Sequence, residues 1–449
     1  MSRVILGLAL AGLLTAGSAV AQPATGTVTV TLEKVRSDKG DVVVGLCADA
    51  KAPFPGFCTP QAKAPAKAGT TVVTFTGVAP GTYALQAFHD ENGDGRPNIP
   101  PEGFAYGNGA GFPPKWTAAA ITVAGDTATR TAMTYIGAQF GGRKQGGSGA
   151  AAPEGVVKTD VREGGLYAEL YAPAGARKAP ALVLIGGSEG GIDGVSRLAA
   201  DLSKHGYAVL ALAYWAEPGL PKTLEGVPLE YFDEAMAWLK ARPEVDPKAL
   251  GAIGISRGSE AVLLLASRNP DIRAVGAFAP SSIVWQGLNF ENPMAMKAAW
   301  TLGGKDVPFA TPVGSAYQPN GPLKQMFSLA LAEADKHPEA AIPVERIKGP
   351  ILLISGKADG LWPSEDFAQR IEARLRARHF AYPVVHLSYE GAGHAVFAGD
   401  PASPGLVARA KAPANAYLGG DGPSDARAWA DDWPKTLAFF DKYLKGRGR

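Results

Sequence analysis

Residues 252–260 read AIGISRGSE, and the fold of most of the chain turns on them. Small and β-branched apolar residues run into Gly254, a lone Ser256 follows, and Gly258 opens a helical run. G-x-S-x-G between a strand and a helix is the nucleophile-elbow arrangement. The glycines have a steric reason: a serine forced into a sharp turn brings the backbone two residues on either side into close contact. The helix that follows aims its first N–H groups at the serine oxygen and favours negative charge developing there. The pentapeptide alone also arises by chance, so its surroundings must decide.

Those surroundings alternate. ALVLIGG, YAVLALAYW, ALGAIGIS, RAVGAFAP, PILLISG and YPVVHLSYE read as strands. VSRLAADLSKHG, LEYFDEAMAWLKAR, SEAVLLLASRN, SEDFAQRIEARLRAR and a segment around TLAFFDKYLK read as helices. Near-continuous apolar strands separated by amphipathic helices predict an α/β unit with a mostly parallel sheet covered on both faces. We place this unit at 156–449, with an insertion at 281–346 that caps the site. The insertion carries Trp285, Phe290, Met294, Met296 and Trp300.

A serine hydroxyl is a poor nucleophile until a histidine takes its proton, and a carboxylate must orient that histidine. In a sheet of this kind the chain order is Ser, then acid, then His. Asp359 lies in the loop after PILLISG, and His394 in the Gly-rich loop YEGAGHAVF after the next strand. Ser256, Asp359 and His394 thus fall in order, each at the C-terminal end of a strand, where ligands bind open sheets. The competitors are placed less well: Asp366 inside a helical run, His386 within a strand, His379 and His205 at helix ends. The oxyanion donors expected are the backbone N–H groups of Arg257 and of Ser188, or else Glu189, in GGSEGG. That loop lacks the Lys-Ser/Thr ending of a phosphate loop. Tyr214, Ser281 and Trp285, each just after a strand, are candidates to line a substrate pocket, although such residues also simply pack. Glu260, on the helix after the elbow, reads as a supporting residue.

Ahead of this unit, Thr27 to Tyr135 holds short β-rich runs such as TVTVTLEKV, DVVVGLC, TVVTFTGV and TYALQAFHD, parted by turn residues. The spacing predicts a small all-β sandwich over 22–136. Residues 137–155, Gly/Ala-rich, form a linker. In HDENGDG, Asp90, Asn92 and Asp94 alternate oxygen ligands as in a calcium loop, but the closing carboxylate is missing because Pro101 stands at its twelfth position. A turn held by Asx hydrogen bonds is the simpler expectation. No other metal site and no cofactor is expected.

MSRVILGLALAGLLTAGSAVAQ has the three parts of an export signal over 1–21: Arg3, the apolar Val4 to Leu14, and the small-residue Ala19-Val20-Ala21. The apolar run falls short of the about 20 residues of a membrane span. Export to a periplasm or the extracellular space follows, with no membrane span after cleavage. There the only two cysteines, Cys47 and Cys58, are free to pair, two buried thiols being the alternative. A net charge of +2 with no block of like charges gives no reason to expect nucleic acid as a partner.

AYWAEPGLPKTLEGVPLEYFDEAMAWLKARPEV, GAIGISRGSEAVLLLAS, IPVERIKGPILLISGKADGLWPS and YEGAGH occur in that order. With these blocks, residues 165–445 resemble the C-terminal catalytic domain of the acyl-CoA thioester hydrolases and bile-acid-CoA:amino-acid N-acyltransferases. The resemblance implies an α/β-hydrolase fold, with nucleophile Ser256, acid Asp359 and base His394. The first domain resembles, through HDENGDGRPN and GFPPKW, a β-sandwich family of unknown function found at the N-termini of exported bacterial proteins. Two departures matter. Relatives acting on CoA esters carry a different preceding domain, and an exported enzyme seldom meets acyl-CoA. A family member with cysteine as nucleophile can pass its acyl group to an amine, whereas Ser256 forms an oxygen ester that favours water. We therefore expect a hydrolase of small acyl esters or thioesters, with an acyltransferase or acyl-CoA thioesterase as alternative. A non-catalytic protein binding a glycan or polymer through the sandwich is the alternative of another class.

Overall fold

The structure, a computed structural model, describes residues 25–51, 54, 58–93, 95, 102–110, 114–135, 149–289, 296–312, 323–411 and 418–446. Residues 1–21, read above as an export signal, and Asp94, Phe290, Met294 and most of residues 137–155 lie outside these residues. Among the described residues no helix is long and apolar enough to cross a membrane.

Among the described residues eight strands build the N-terminal unit: β1 Gly26–Val35, β2 Asp41–Cys47, β3 Gln61–Pro65, β4 Gly69–Val78, β5 Gly81–Asp90, β6 Gly103–Tyr106, β7 Ala120–Val123 and β8 Thr127–Ala132. They form a sheet ordered β4-β1-β8 and a second ordered β3-β2-β5-β6, with β7 also on β5. Strand alternation decides what is buried. Val28, Val30 and Leu32 of β1 point inward and share one core with Val42, Val44 and Leu46 of β2 and Leu85 of β5. Cys47 and Cys58 form a disulfide with a Cα separation of 4.8 Å. At the end of β5, Asp90 accepts hydrogen bonds from Gly93 N–H and Gly95 N–H, both at 2.9 Å, which is the Asx type of turn.

The second unit contains strands β9 Val156–Val161, β10 Tyr167–Pro173, β11 Ala179–Ile185, β12 Ala208–Ala213, β13 Val227–Pro228, β14 Val245–Ile255, β15 Ile272–Phe278, β16 Trp300–Leu302, β17 Lys305–Asp306, β18 Ile351–Gly356 and β19 Val384–Tyr389. Its helices are α1 Asp193–Ser203, α2 Glu230–Lys240, α3 Arg257–Arg268, α4 Leu323–Ala332, α5 Ser364–Ala377, α6 Pro404–Arg409 and α7 Gly422–Phe440. Eight strands make one sheet in the order β19-β18-β15-β14-β11-β12-β10-β9. The six from β19 to β12 run parallel, and β10 pairs antiparallel with both β12 and β9. Alternate residues of the buried strands feed two cores. Val183, Leu210, Ala252 and Leu353 pack with Phe232, Leu263 and Ile371 of α2, α3 and α5. Leu182, Val209, Ile253 and Leu352 pack with Leu198 of α1 and Trp433 and Phe440 of α7 on the opposite face.

Strands β9 and β10 and helix α7 differ from the sequence expectation in ways that carry a physical reason. Strands β9 and β10 are absent from it because Lys158, Asp160 and Glu169 interrupt the apolar pattern. Glu169 is nevertheless buried, compensated by Lys158 Nζ at 2.8 Å and by the hydroxyls of Ser196 and Tyr171 at 2.6 and 2.8 Å. Helix α7 begins well before TLAFFDKYLK, at an N-cap in which Asp421 accepts a 2.7 Å hydrogen bond from Ser424 N–H, and it continues through Pro434.

Candidate active site

Strand β14 delivers the serine and α3 starts immediately after it. Ser256 has φ 56° and ψ −122°, in the left-handed region that a residue with a side chain enters only when its surroundings compel it. The surroundings are backbone. A Cβ on Gly254 would lie 2.1 Å from Gly258 O, and one on Gly258 would lie 2.3 Å from Ile185 O and Gly186 O. The turn is held on both sides: Ser256 N–H donates to Phe278 O at 2.9 Å, and Ser259 N–H and hydroxyl donate to Ser256 O at 2.9 and 2.6 Å.

The hydroxyl of Ser256 lies 2.9 Å from His394 Nε2, and His394 Nδ1 lies 2.9 Å from Asp359 Oδ2. A carboxylate only accepts, so Nδ1 carries the proton and Nε2 is left to accept from the serine. Asp359 Oδ1 accepts from Leu361 N–H and Trp362 N–H at 2.9 and 3.2 Å, which fixes the carboxylate in its loop after β18. Asp359 is 1 % exposed, while Ser256 and His394 keep 6 and 7 %. The serine and the imidazole retain a little exposure and the acid lies behind them.

The loops bearing acid and base meet on a third segment that sequence reasoning passed over. Leu418 O accepts from Gly360 N–H at 3.0 Å and from His394 N–H at 2.7 Å. A Cβ on Gly419 would lie 1.9 Å from Ala358 O, and Gly419 and Gly420 both have positive φ. Asp425 of α7 accepts from Gly393 N–H at 2.8 Å, with burial raising its carboxyl above the usual range. Trp362 stands edge-on to the His394 ring, centroids 5.7 Å apart. The pair of glycines at 419–420 was the available signal.

The GGSEGG loop lies against the serine: a Cβ on Gly187 would come 2.9 Å from Ser256 Cβ. Glu189 folds back so that its Oε1 accepts from Gly187 N–H at 2.8 Å. Ser188 and Glu189 are half-buried. Tyr214 is buried, and its hydroxyl faces both Gly186 O and Gly187 O at 3.0 Å, so it braces this loop from behind. Burial raises its phenol well above the ordinary value. Ser281 is fully buried, donating to Ile283 O at 2.7 Å and accepting from Trp285 Nε1 at 2.9 Å. Trp285, 1 % exposed, packs on Phe327 and Phe367. These three side chains make protein–protein contacts here. Arg257 and Glu260, on the first turn of α3, are both buried and 3.2 Å apart.

The other histidines stand elsewhere. His386, in β19, faces Ser355 Oγ at 2.7 Å and Glu372 at 3.2 Å, a Ser-His-Glu series whose serine is fully buried within β18. His205 and His379 are exposed, and Asp366 lies in α5.

A mostly parallel eight-stranded sheet with helices on both faces and an elbow serine after β14 defines an α/β-hydrolase. Over residues 227–446 the chain matches the family described as BAAT / Acyl-CoA thioester hydrolase C terminal. Residues 30–131 match a family described as an uncharacterized protein conserved in bacteria. Mouse peroxisomal succinyl-coenzyme A thioesterase is 31 % identical over 300 residues, covering 65 % of this chain and 66 % of the relative. Mouse acyl-coenzyme A thioesterase 6 is 32 % identical over 298 residues, with coverage of 65 and 66 %. Mouse acyl-coenzyme A thioesterase 5 is 30 % identical over 314 residues, with coverage of 66 and 67 %. The chain thus spans 66 % of the length of the first two relatives. Among solved structures, a putative dienelactone hydrolase from Klebsiella pneumoniae aligns at a TM-score of 0.40 and 17 % identity, over 64 % of this chain and 98 % of that one. The chain belongs to the BAAT / acyl-CoA thioester hydrolase family.

Proposed function

We propose that this chain is a serine hydrolase that cleaves an acyl ester or thioester through an acyl-serine intermediate. The observation that carries the reading is the series Ser256–His394–Asp359, 2.9 Å at each step, with its serine on a strained elbow. His394 Nε2 takes the Ser256 proton as Oγ attacks the acyl carbon, and the carbonyl π pair moves onto oxygen. The backbone N–H groups of Arg257 and Ser188 receive that oxyanion; Gly187 N–H is already engaged by Glu189. One such donor contributes about 3 kcal/mol to transition-state stabilisation. The tetrahedral intermediate collapses, the bond to the leaving oxygen or sulfur breaks, and His394 returns the proton to it. Water then repeats the sequence on the acyl-serine, releasing the acid and regenerating the hydroxyl. Asp359 holds the imidazole in its tautomer throughout.

Hydrolysis is favoured over transfer to an amine because an oxygen ester at Ser256 is less open to aminolysis than a thioester. If residues 1–21 direct export, the substrate is an ester other than cytoplasmic acyl-CoA. The relatives' thioesterase names keep acyl-CoA as the second reading. Two assays decide. Purified protein is treated with a fluorophosphonate probe beside Ser256→Ala: labelling of the first alone is expected, and absence of labelling in both rejects the acyl-serine route. p-Nitrophenyl esters of increasing acyl length are then compared with acyl-CoA substrates, a preference for CoA overturning the non-CoA assignment.

A further inference from the structure

The backbone of the loop after β11 is held from two opposite sides. On one side stands Tyr214, just after β12, its buried ring packed on Phe232 and Trp300 with centroids 5.6 Å from each. A buried phenol needs a partner, and this hydroxyl lies 3.0 Å from both Gly186 O and Gly187 O. The peptides here are trans, and in a trans peptide the carbonyl and the following N–H point in opposite directions. With both carbonyls turned to Tyr214, the N–H groups of Gly187 and Ser188 face away from it. Successive N–H groups on one side make a concavity that favours negative charge. Glu189 stands on that other side: its Oε1 accepts from Gly187 N–H at 2.8 Å. A Cβ on Gly186 would come 2.5 Å from Oε1 and one on Gly187 2.8 Å from Oε2, so the carboxylate rests against two residues without side chains. The loop turns back at Gly190 and Gly191, both of positive φ, and Gly191 N–H donates to Trp215 O at 3.1 Å. Gly187 also borders the nucleophile, a Cβ there falling 2.9 Å from Ser256 Cβ.

We propose that Tyr214 and Glu189 are positioning residues that lock the 186–187 and 187–188 peptides from opposite sides, so that Ser188 N–H stays presented to the oxyanion formed at Ser256. The proposal rests on the hydrolase reading above. Neither side chain touches the reacting atoms in this role; each acts through the backbone between them. A 187–188 peptide turned over would withdraw the Ser188 donor and bring a carbonyl oxygen towards developing negative charge. Fixing the peptide beforehand spares the transition state that reorganisation.

Three variants of the full chain test the lock. Tyr214→Phe removes one hydroxyl and keeps the ring on Phe232 and Trp300. Glu189→Ala removes the carboxylate, and Glu189→Gln returns an uncharged acceptor for Gly187 N–H. kcat and KM are measured on p-nitrophenyl acetate, beside the inhibition constant of benzeneboronic acid, whose tetrahedral adduct with a serine imitates the oxyanion. Tyr214→Phe and Glu189→Ala are expected to lower kcat by about ten- to a hundred-fold at nearly constant KM, and to weaken the boronate by a similar factor. Glu189→Gln is expected to recover most of the loss. A folded Tyr214→Phe with native kcat and native boronate affinity overturns the proposal, as does a change confined to KM. A Glu189→Gln no better than Glu189→Ala overturns the positioning role of Glu189. Should Tyr214→Phe fail to fold, the two Glu189 variants decide in the same assays. Hydrogen exchange of residues 186–191 reads the lock without chemistry: faster exchange in Tyr214→Phe and Glu189→Ala supports it, and equal exchange overturns it. If the native protein neither hydrolyses the ester nor takes the fluorophosphonate, the hydrolase reading falls, and exchange alone still judges the lock.

Discussion

At the scale of single residues, the site depends on atoms with no freedom to move. Removing the Ser256 hydroxyl or the His394 imidazole by Ala is expected to lower kcat by at least about 10⁴-fold in steady-state kinetics. Asp359→Asn tests the tautomer. An amide offers Nδ1 no carboxylate, and a fall of about 10³–10⁴-fold in kcat with little change in KM is expected from steady-state kinetics. Gly258→Ala acts differently. Its Cβ would meet two carbonyl oxygens at 2.3 Å, so the elbow must deform. The expected cost is about 1–3 kcal/mol or more of stability together with lost activity, read by chemical denaturation and ester hydrolysis in parallel. The residues of this scale were legible in the sequence because each obeys a local rule: small residues beside a strained turn, and an acid and a base at successive strand ends. The fold-back of the Glu189 side chain onto Gly187 and the junction at Leu418 were not, because a side chain folding back on its own loop, and a carbonyl serving two distant loops, leave no periodic mark.

Among the elements, helix α7 carries a buried carboxyl with no partner among the described residues. Asp432 is fully buried, neither of its oxygens has a hydrogen-bond partner among the described residues, and burial with Asp431 nearby raises its carboxyl to about 9. An unfolded aspartate releases its proton near 4. Between those values the folded state binds more protons, so the contribution of this group is complete below pH ~4 and disappears as pH rises through about 9. Asp432→Asn is expected to flatten that slope, raising Tm by roughly 2–8 °C at pH 8 and by almost nothing near pH 4, in thermal scans across pH. The six parallel strands were readable as elements because burial on both faces makes them continuous apolar runs. The antiparallel strands β9 and β10 were not, since a buried glutamate satisfied by Lys158, Ser196 and Tyr171 looks in sequence like a surface residue. The early start of α7 is written in Asp421-Gly-Pro-Ser424, a cap with Pro in the first turn, but Pro434 disguises the continuity behind it.

For the whole molecule, two units with separate cores predict two unfolding events. The disulfide Cys47–Cys58 closes a short loop, and in the chain-entropy picture such a link contributes about 3 kcal/mol. Reduction, or Cys47→Ser/Cys58→Ser, is expected to lower only the transition of the β-rich unit in differential scanning calorimetry, with ester hydrolysis at 25 °C retained. Loss of hydrolysis on reduction instead shows that the two units work as one. Their separate character was legible from the change of rhythm, short alternating strands giving way to strand–helix alternation, because each rhythm follows from how one layer covers another.

The backbone junction at Leu418–Gly420 reaches further than its contacts. Acid and base loops hang from one carbonyl, and a side chain at 419 would strike the acid loop at Ala358 and Gly360 while one at 420 would strike the base loop at Gly393. A saturation library selected for turnover should therefore show an intolerant patch there as deep as at the serine itself. Anyone redesigning the pocket would do well to leave that hinge pin alone.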